Sequence, residues 1–296
     1  MAAYSTSKAG FPEAWLNEYT RAMLAFRLAS QRLIPIETAS DSPDELTRRL
    51  PRGLYTTFST NSGGTRVLGL AAHLTRLYPS ADSTPAPSAS PSDLRLALSQ
   101  LAADNAPGES RFRVLVGDSD GTVYVVVQKF APPAREVYER GVRVVTADLV
   151  RHDARRKDSS FIEESQSLRK RIGGDIYEAL LTKNGRIYEG MTSNFYAVLA
   201  GRSEAILVTA RTGVLLGVTR RVVLRLARGE GMQVVYRAPR LDEDFAEAFI
   251  TSSSRGIVPI VQVDGRAVGQ GRVGAWTKRL SLAYAAYVEE RSENFR

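Results

Sequence analysis

Apolar positions in the first part of the chain predict one amphipathic helix followed by short strands. We expect the helix over residues 11–30, because apolar side chains recur there at helical spacing. These side chains are Trp15, Leu16, Tyr19, Met23 and Phe26. Strands are predicted at Leu54–Phe58 and Arg66–Leu70, on either side of an Asn-Ser-Gly-Gly turn. A short helix is predicted at His73–Tyr78, and another helix from an N-cap at Asp93 to Leu101.

The remainder of the chain alternates strands and helices around strong turn signals. Asn184-Gly185 predicts a tight hairpin within residues 178–188, since both residue types accept a positive φ at low cost. Helices are expected over residues 161–172, 217–228 and 274–290. Further strands are predicted at residues 113–116, 122–128, 142–145, 195–199, 206–208, 248–251 and 257–263.

These elements form two mixed blocks that meet near a proline-rich segment, Ala131-Pro-Pro-Ala134. Each block contains both strands and helices, which indicates an α+β fold class. We therefore predict an N-terminal α+β domain over residues 1–131, a linker over 132–136 and a C-terminal α+β domain over 137–296.

The composition excludes several kinds of chemistry. The chain has 296 residues, no Cys and only two His, at positions 73 and 152. Without Cys there is no disulfide, no thiolate zinc or iron–sulfur site and no Cys nucleophile. Two His residues cannot form a three-His metal site, and a Ser-His-Asp triad would have to use one of them. We expect no metal site.

The charge and hydropathy limit the partners. Lys and Arg number 40 against 32 Asp and Glu, which gives a net charge of +8. The basic residues are scattered, with local clusters at Arg151–Lys157 and Arg169–Arg171, and no aromatic residues alternate with them. We therefore expect a solvated basic surface and no nucleic-acid partner. We also expect a cytoplasmic protein with no membrane partner, because neither a long apolar span nor a signal peptide is evident.

Five short motifs follow one another in the sequence. They are Gly-Leu-Tyr-Thr-Thr57, His-Leu-Thr-Arg-Leu77, Lys157, Glu-Gly-Met-Thr-Ser-Asn194 and Gly-Val-Thr-Arg220. Each is weak alone, but together and in this order they resemble the class IV aminotransferases, which are pyridoxal 5'-phosphate (PLP) enzymes of fold type IV. That family includes branched-chain and D-amino-acid aminotransferases and aminodeoxychorismate lyase. The resemblance runs from about Gly53 to Ala285 and implies a two-domain, D-amino-acid aminotransferase-like architecture.

The resemblance also implies a PLP site. Lys157 would be the catalytic residue, because its amine forms the Schiff base with the cofactor and then moves a proton. Glu189 would face the pyridine nitrogen and keep it protonated. Donors for the phosphate would come from Arg76, Val218, Thr219 and Ser253. His73 is interpreted as a structural hydrogen-bonding residue rather than a base.

The resemblance implies substrate contacts as well, from Tyr55, Thr57, Lys129 and Ser254. Lys129 follows Gln128 near the end of a strand where D-amino-acid aminotransferases and aminodeoxychorismate lyases carry an Arg. The implied reaction moves an amino group between an amino acid or amine and a 2-oxo acid, in a homodimer.

Two alternatives remain open at this stage. The first is a PLP-dependent carbon–carbon lyase of the aminodeoxychorismate lyase type, which the Thr56-Thr57 pair favours. The second is a non-enzymatic homologue that binds RNA or a partner protein. The joint presence of Lys157, Glu189 and Arg76 argues against it, because a scaffold without catalysis need not keep all three.

Overall fold

The computed structural model describes residues 23–37, 42–78, 85–201 and 205–295. They divide into two units: the first holds the described residues up to Ala131 and those from Ser292 onward, and the second spans Pro132–Arg291. The predicted division differs at two places. Residues 132–136 count with the second unit, and the C-terminal residues return to the first, where Phe295 packs into its core.

The first unit is a sheet covered by helices. Its strands are β1 (Met23–Ala29), β2 (Arg32–Ile36), β3 (Gly53–Asn61), β4 (Arg66–Val67), β5 (Glu109–Gly117), β6 (Val123–Phe130) and β16 (Glu293–Asn294). They lie in the order β16-β4-β3-β5-β6-β1-β2. Its helices are α1 (Pro43–Arg49), α2 (Leu70–Thr75) and α3 (Pro91–Asn105). The short strand β16 pairs with β4, which explains why the C-terminal residues belong here.

The strand β1 corrects part of the predicted N-terminal helix. Residues 11–22 lie outside the described residues, but Met23–Ala29 is extended and pairs with β2 and β6. One face of β1 enters the main core of the unit, and the other packs against Leu46 of α1. Because both faces of β1 are covered, nearly every position is apolar. Some of these apolar residues are therefore three or four positions apart, as in a helix, although the segment is a strand.

The helix α3 begins earlier and ends later than predicted. Ser90 is its N-cap, and its hydroxyl accepts a hydrogen bond from the Asp93 N–H at 3.1 Å. The Asp93 carboxylate in turn accepts from the Ser90 N–H at 3.2 Å. Asp93 is therefore the third residue of the helix, where it completes a capping box with Ser90, rather than the N-cap itself.

The second unit is built on a sheet that closes on itself. Its strands are β7 (Val142–Asp148), β8 (Ile176–Lys183), β9 (Arg186–Gly190), β10 (Asn194–Leu199), β11 (Ile206–Thr209), β12 (Gln233–Tyr236), β13 (Glu247–Ser252), β14 (Gly256–Val263) and β15 (Arg266–Ala267). They lie in the order β12-β11-β10-β13-β14-β7-β8-β9, and β15 pairs with β14. The last strand, β9, also pairs with β10 through Glu189 and Asn194, which closes a ring of strands.

The helices of the second unit are α4 (Arg135–Arg140), α5 (Ser160–Glu164), α6 (Gln166–Arg169), α7 (Val218–Gly229) and α8 (Ala275–Arg291). The predicted helix over 161–172 is interrupted at Ser165, whose hydroxyl donates to the Phe161 carbonyl at 2.6 Å. The predicted hairpin is present, with φ of 51° at Asn184 and 68° at Gly185. Both units are mixed α and β, as predicted.

Candidate active site

Glu189 lies near the end of the strand β9, at the point where the sheet of the second unit closes. Its side chain is 2% exposed. One carboxylate oxygen accepts from Arg151 Nε at 3.1 Å, and the other accepts from the Leu215 N–H at 2.9 Å. Burial raises the pKa of Glu189 above its usual value, while Arg151, the Leu215 N–H and Lys157 act in the opposite direction. The carboxyl group is therefore held in position by two hydrogen bonds, and its pKa depends on the charges that surround it.

Arg151 lies against Glu189 and is itself buried. Its Nη2 donates to the Met191 carbonyl at 3.3 Å, and its guanidinium carbon lies 3.8 Å from the centre of the Phe161 ring. Its Nη1 is buried without a hydrogen-bond partner among the described residues. In the sequence Arg151 is only the first residue of a basic cluster, and no motif predicts its contact with Glu189.

Lys157 lies in the loop between β7 and α5 and is partly buried. The Asp158 carboxylate accepts from the Ser160 N–H at 2.8 Å, which holds the loop where it enters α5. The charge of Lys157 contributes to lowering the pKa of Glu189. The structure therefore brings the predicted lysine and the predicted carboxylate into one electrostatic environment within the second unit.

The segment before α7 is anchored by both residues at the sheet closure. Glu189 accepts from the Leu215 N–H, and Asn194 Nδ2 donates to the Leu215 carbonyl at 2.7 Å. Two residues later, a Cβ on Gly217 would lie 2.5 Å from Asn194 Oδ1, so any larger residue there would have to displace the Asn194 side chain. This segment therefore links the position of Glu189 to the start of α7.

The start of α7 has the properties of an anion site. Its N-cap is Gly217, which provides no side-chain hydrogen bond to the first N–H groups. Thr219 is buried, and its hydroxyl lies 3.5 Å from that of Ser253, in the turn between β13 and β14. The structure thus groups three predicted phosphate ligands, Val218, Thr219 and Ser253, and places Ser254 next in the same turn. A phosphate suits such a site, because helix N-termini attract negative charge.

A second ion pair fixes that turn, and the sequence motifs do not predict it. Arg255 Nη1 lies 2.8 Å from a carboxylate oxygen of Glu178, which is 1% exposed. The Thr192 N–H and hydroxyl also donate to Glu178, at 2.8 Å and 3.0 Å. Arg255 Nη2 donates to the Thr192 hydroxyl at 2.7 Å. The network therefore joins the turn carrying Ser253 and Ser254 to the turn that follows Glu189.

The first unit carries the remaining predicted residues. Tyr55 and Thr57 lie on one face of β3, and the register with β5 places Arg113 directly opposite Thr57. Arg113 Nε donates to the Thr57 hydroxyl at 3.4 Å, and its guanidinium carbon lies 5.1 Å from the centre of the Tyr55 ring. Arg113 also donates to Asp44 of α1 at 2.6 Å. The sequence motifs do not mark this arginine, because its strand shows only apolar alternation.

Lys129 lies on the other face of the same sheet. It pairs with Ser110, whose face carries the core residues, whereas Gln128 pairs with Arg111 on the face of Tyr55 and Thr57. The period-two alternation of a strand separates these neighbours. The structure therefore does not bring Lys129 together with Tyr55 and Thr57.

Arg76 and His73 both belong to the region of α2 in the first unit. Arg76 is the C-cap residue of that helix. His73 is 1% exposed, and its Nδ1 lies 2.7 Å from the Thr56 hydroxyl. A buried histidine with such a contact fits the predicted structural interpretation of His73.

Residues 53–263 match the family model of class IV amino-transferases. The chain belongs to this family, as the order of its motifs predicts. Within the described residues no group of three or more His, Cys, Asp or Glu could hold a metal ion. No helix in the part of the chain that the structure describes is long and apolar enough to span a membrane.

Curated relatives include two kinds of aminotransferase. A branched-chain-amino-acid aminotransferase of Pseudomonas aeruginosa is 30% identical over 167 residues, 53% of this chain and 53% of that protein. A D-alanine aminotransferase of Bacillus licheniformis is 30% identical over 150 residues, 49% of this chain and 52% of that protein. The chain thus matches about half the length of each of these relatives.

Solved structures extend the likeness to nearly the whole fold. A T.th. branched-chain amino acid aminotransferase with pyridoxamine 5'-phosphate has a TM-score of 0.74 at 19% identity, covering 92% of this chain and 98% of that one. A hypothetical aminotransferase from Mycobacterium tuberculosis in its PLP-bound form has a TM-score of 0.67 at 20% identity, covering 89% and 99%. These structures confirm the predicted two-domain α+β architecture of fold type IV.

Proposed function

We propose that this protein is a PLP-dependent aminotransferase that moves an amino group between an amino acid or amine and a 2-oxo acid. The observation that carries the proposal is the buried Glu189, held between Arg151 and the Leu215 N–H and influenced by the charge of Lys157. When bound, PLP supplies an electron sink for the carbanion formed at the substrate Cα. Family membership supports the same chemistry.

The residues of the second unit fit this cofactor. Lys157 would bind it through its amine and then carry the proton between the substrate Cα and the cofactor. Glu189 would hold the proton on the ring nitrogen. The first N–H groups of α7, with the hydroxyls of Thr219 and Ser253, would bind the phosphate. Separately, Nη1 of Arg151 is a buried hydrogen-bond donor without a partner among the described residues, beside Glu189.

The residues of the first unit are proposed for the phosphate and the substrate. Arg76 is proposed as a forked cationic ligand of the cofactor phosphate on the basis of the family resemblance. Tyr55, Thr57 and Ser254 are proposed as substrate contacts on the basis of the family resemblance. Lys129 could contact the substrate only on the face of the sheet opposite Tyr55 and Thr57. We therefore propose that the substrate binds on the face that carries Gln128.

The proposed activity can be tested on the purified protein with PLP added. The near-ultraviolet and visible spectrum is recorded while L- and D-amino acids are added singly. A donor that converts the bound cofactor to its pyridoxamine form, reversed by a 2-oxo acid, supports an aminotransferase and identifies the preferred chirality. A protein that shows no cofactor spectrum contradicts the proposal.

The lyase alternative has lost its main support. Of the Thr56-Thr57 pair, Thr56 faces the core of the first unit, where it contacts His73, and only Thr57 lies on the face of Tyr55. The relatives reported above are all named as aminotransferases. We therefore expect no pyruvate release from aminodeoxychorismate.

We also propose that the protein works as a homodimer in the cytoplasm. The chain belongs to the class IV family. The homodimer is what the sequence resemblance to that family implies. Light scattering on the cofactor-loaded protein measures the mass directly. A mass of one chain would contradict the homodimer.

A further inference from the structure

Arg220 is the last residue of the Gly-Val-Thr-Arg220 motif and the third residue of α7. The residue is buried, with 2% of its surface exposed. Its Nη1 donates to the Thr209 hydroxyl at 2.6 Å, and its Nη2 donates to the Ala210 carbonyl at 2.6 Å. Its guanidinium carbon lies 5.7 Å from the centre of the Tyr196 ring. The motif therefore ends in a fixed, buried cation, directly after two of the proposed phosphate ligands.

The charge of Arg220 has no carboxylate partner in the part of the chain that the structure describes. Its acceptors are a neutral hydroxyl and a neutral carbonyl, and the Thr209 hydroxyl gives its own proton to the Phe195 carbonyl at 2.8 Å. The buried Arg151, by contrast, pairs with the Glu189 carboxylate. A guanidinium keeps its charge when it is buried, and a buried charge without a counter-ion is costly.

The position of Arg220 in the helix adds to that cost. The first turn of α7 contains no acidic residue, and its N-cap, Gly217, makes no side-chain hydrogen bond to the first N–H groups. The partial positive charge of a helix N-terminus disfavours a cation in the first turn. An uncharged side chain would fill the same space without either penalty. An anion bound at this end of α7 would compensate both the helix and the guanidinium.

We propose that Arg220 is a positioning residue of the phosphate site, whose buried charge strengthens the binding of a phosphate monoester dianion at the N-terminus of α7. The inference rests on the proposed function, since it takes this helix end to bind the phosphate of PLP. Val218 and Thr219 remain the proposed ligands, and Arg220 acts through the electrostatic potential at their N–H groups. Solvent screens this charge little, because the guanidinium is buried.

The test measures the binding of PLP, and of pyridoxal, which lacks the phosphate, to the apo forms of wild type and Arg220→Gln. Loss of the buried charge should weaken PLP binding about tenfold or more, whereas pyridoxal binding should stay within about twofold. Arg220→Lys, which retains a cation, should bind PLP more tightly than Arg220→Gln. Arg221→Gln is the matched control and should change neither affinity, because this neighbouring arginine is exposed and water screens its charge.

A second variant keeps the arginine and cancels its charge. In Thr209→Asp a carboxylate replaces the hydroxyl that accepts from Arg220 at 2.6 Å, so an ion pair replaces the neutral contact. PLP binding should fall and pyridoxal binding should again change little, whether or not Arg220→Gln folds.

The inference is overturned by an unchanged PLP affinity in either variant, by an equal loss for PLP and pyridoxal, or by equal PLP binding in Arg220→Lys and Arg220→Gln. Failure of the wild type to bind PLP would instead contradict the proposed function, so the two failures are distinguishable.

Discussion

Arg151 donates to Glu189 over 3.1 Å, and the side chains are 7% and 2% exposed. A charge pair so far from solvent is costly to separate, because either partner alone would be left as a buried, uncompensated charge. The pair also sets how easily Glu189 loses its proton, since burial and Arg151 act on its pKa in opposite directions. Arg151, which lies outside the five motifs, therefore influences the pKa of Glu189, the carboxylate proposed to face the cofactor.

Replacing Arg151 with Met should destabilise the protein and weaken PLP binding. We expect a loss of about 3 kcal/mol in the free energy of unfolding, from the carboxylate left without its cation. Denaturant unfolding of the apo-protein measures this loss. Arg155→Met, in the same segment but exposed, is the control and should change stability little. Equal effects of the two substitutions would show that the buried pair has no special role.

Glu189→Gln should change how stability depends on pH. The pKa of Glu189 is raised above 4.5, so the folded state binds this proton more tightly than the unfolded state does. The contribution is therefore fully present below the unfolded pKa and is lost as pH rises through the raised folded value. The stability of wild type relative to Glu189→Gln should fall as pH increases through that window. A difference that is flat, or that grows with pH, would refute the raised pKa.

Gly217→Ala tests the link between the sheet closure and α7. The new Cβ would lie 2.5 Å from Asn194 Oδ1, so Asn194 must move away from the Leu215 carbonyl. We expect a loss of about 1–3 kcal/mol in stability, together with weaker PLP binding. Gly229→Ala at the other end of α7 is the control, since a Cβ there meets nothing within 4 Å. If both substitutions are harmless, the packing at Gly217 is not what positions the helix.

Two ion pairs of contrasting burial should differ in their contribution to stability. Arg255→Met leaves Glu178 buried without its cation, and we expect a loss of about 3 kcal/mol in the free energy of unfolding. Arg240→Met removes a cation from Asp242 where both side chains are more than half exposed, so the free energy of unfolding should change little. Thermal or denaturant unfolding compares the two. Similar losses would contradict the anchoring role given to Glu178 and Arg255.

Local signals in the sequence predict some of this structure well. Asn184-Gly185 predicts its hairpin because the turn chemistry lies within two residues. The strand β1 could not be predicted from its own residues, because its apolar pattern depends on what covers each face. The sequence could not show whether Ser90 or Asp93 is the N-cap of α3, because the same polar residue types occur at N-caps and in first helical turns.

Some residues of the candidate site could be predicted from sequence motifs, and others only from the structure. Glu189 is recognisable because a motif surrounds it, and Lys157 because of its place in the order of the motifs. Both lie in the second unit. Arg151 and Arg113 act through contacts with residues distant in sequence, which spacing along one strand or loop cannot reveal. The position of Lys129 in the chain predicts a place beside the substrate residues, but strand alternation puts it on the other face.

The measurement that tests the central claim most directly is the site of covalent attachment of PLP. The protein is incubated with PLP, reduced with borohydride and digested, and the peptides are weighed by mass spectrometry. We predict one phosphopyridoxyl group on the peptide that contains Lys157, and none after Lys157→Ala. A label on another lysine, a label that survives Lys157→Ala, or no label at all would contradict the account.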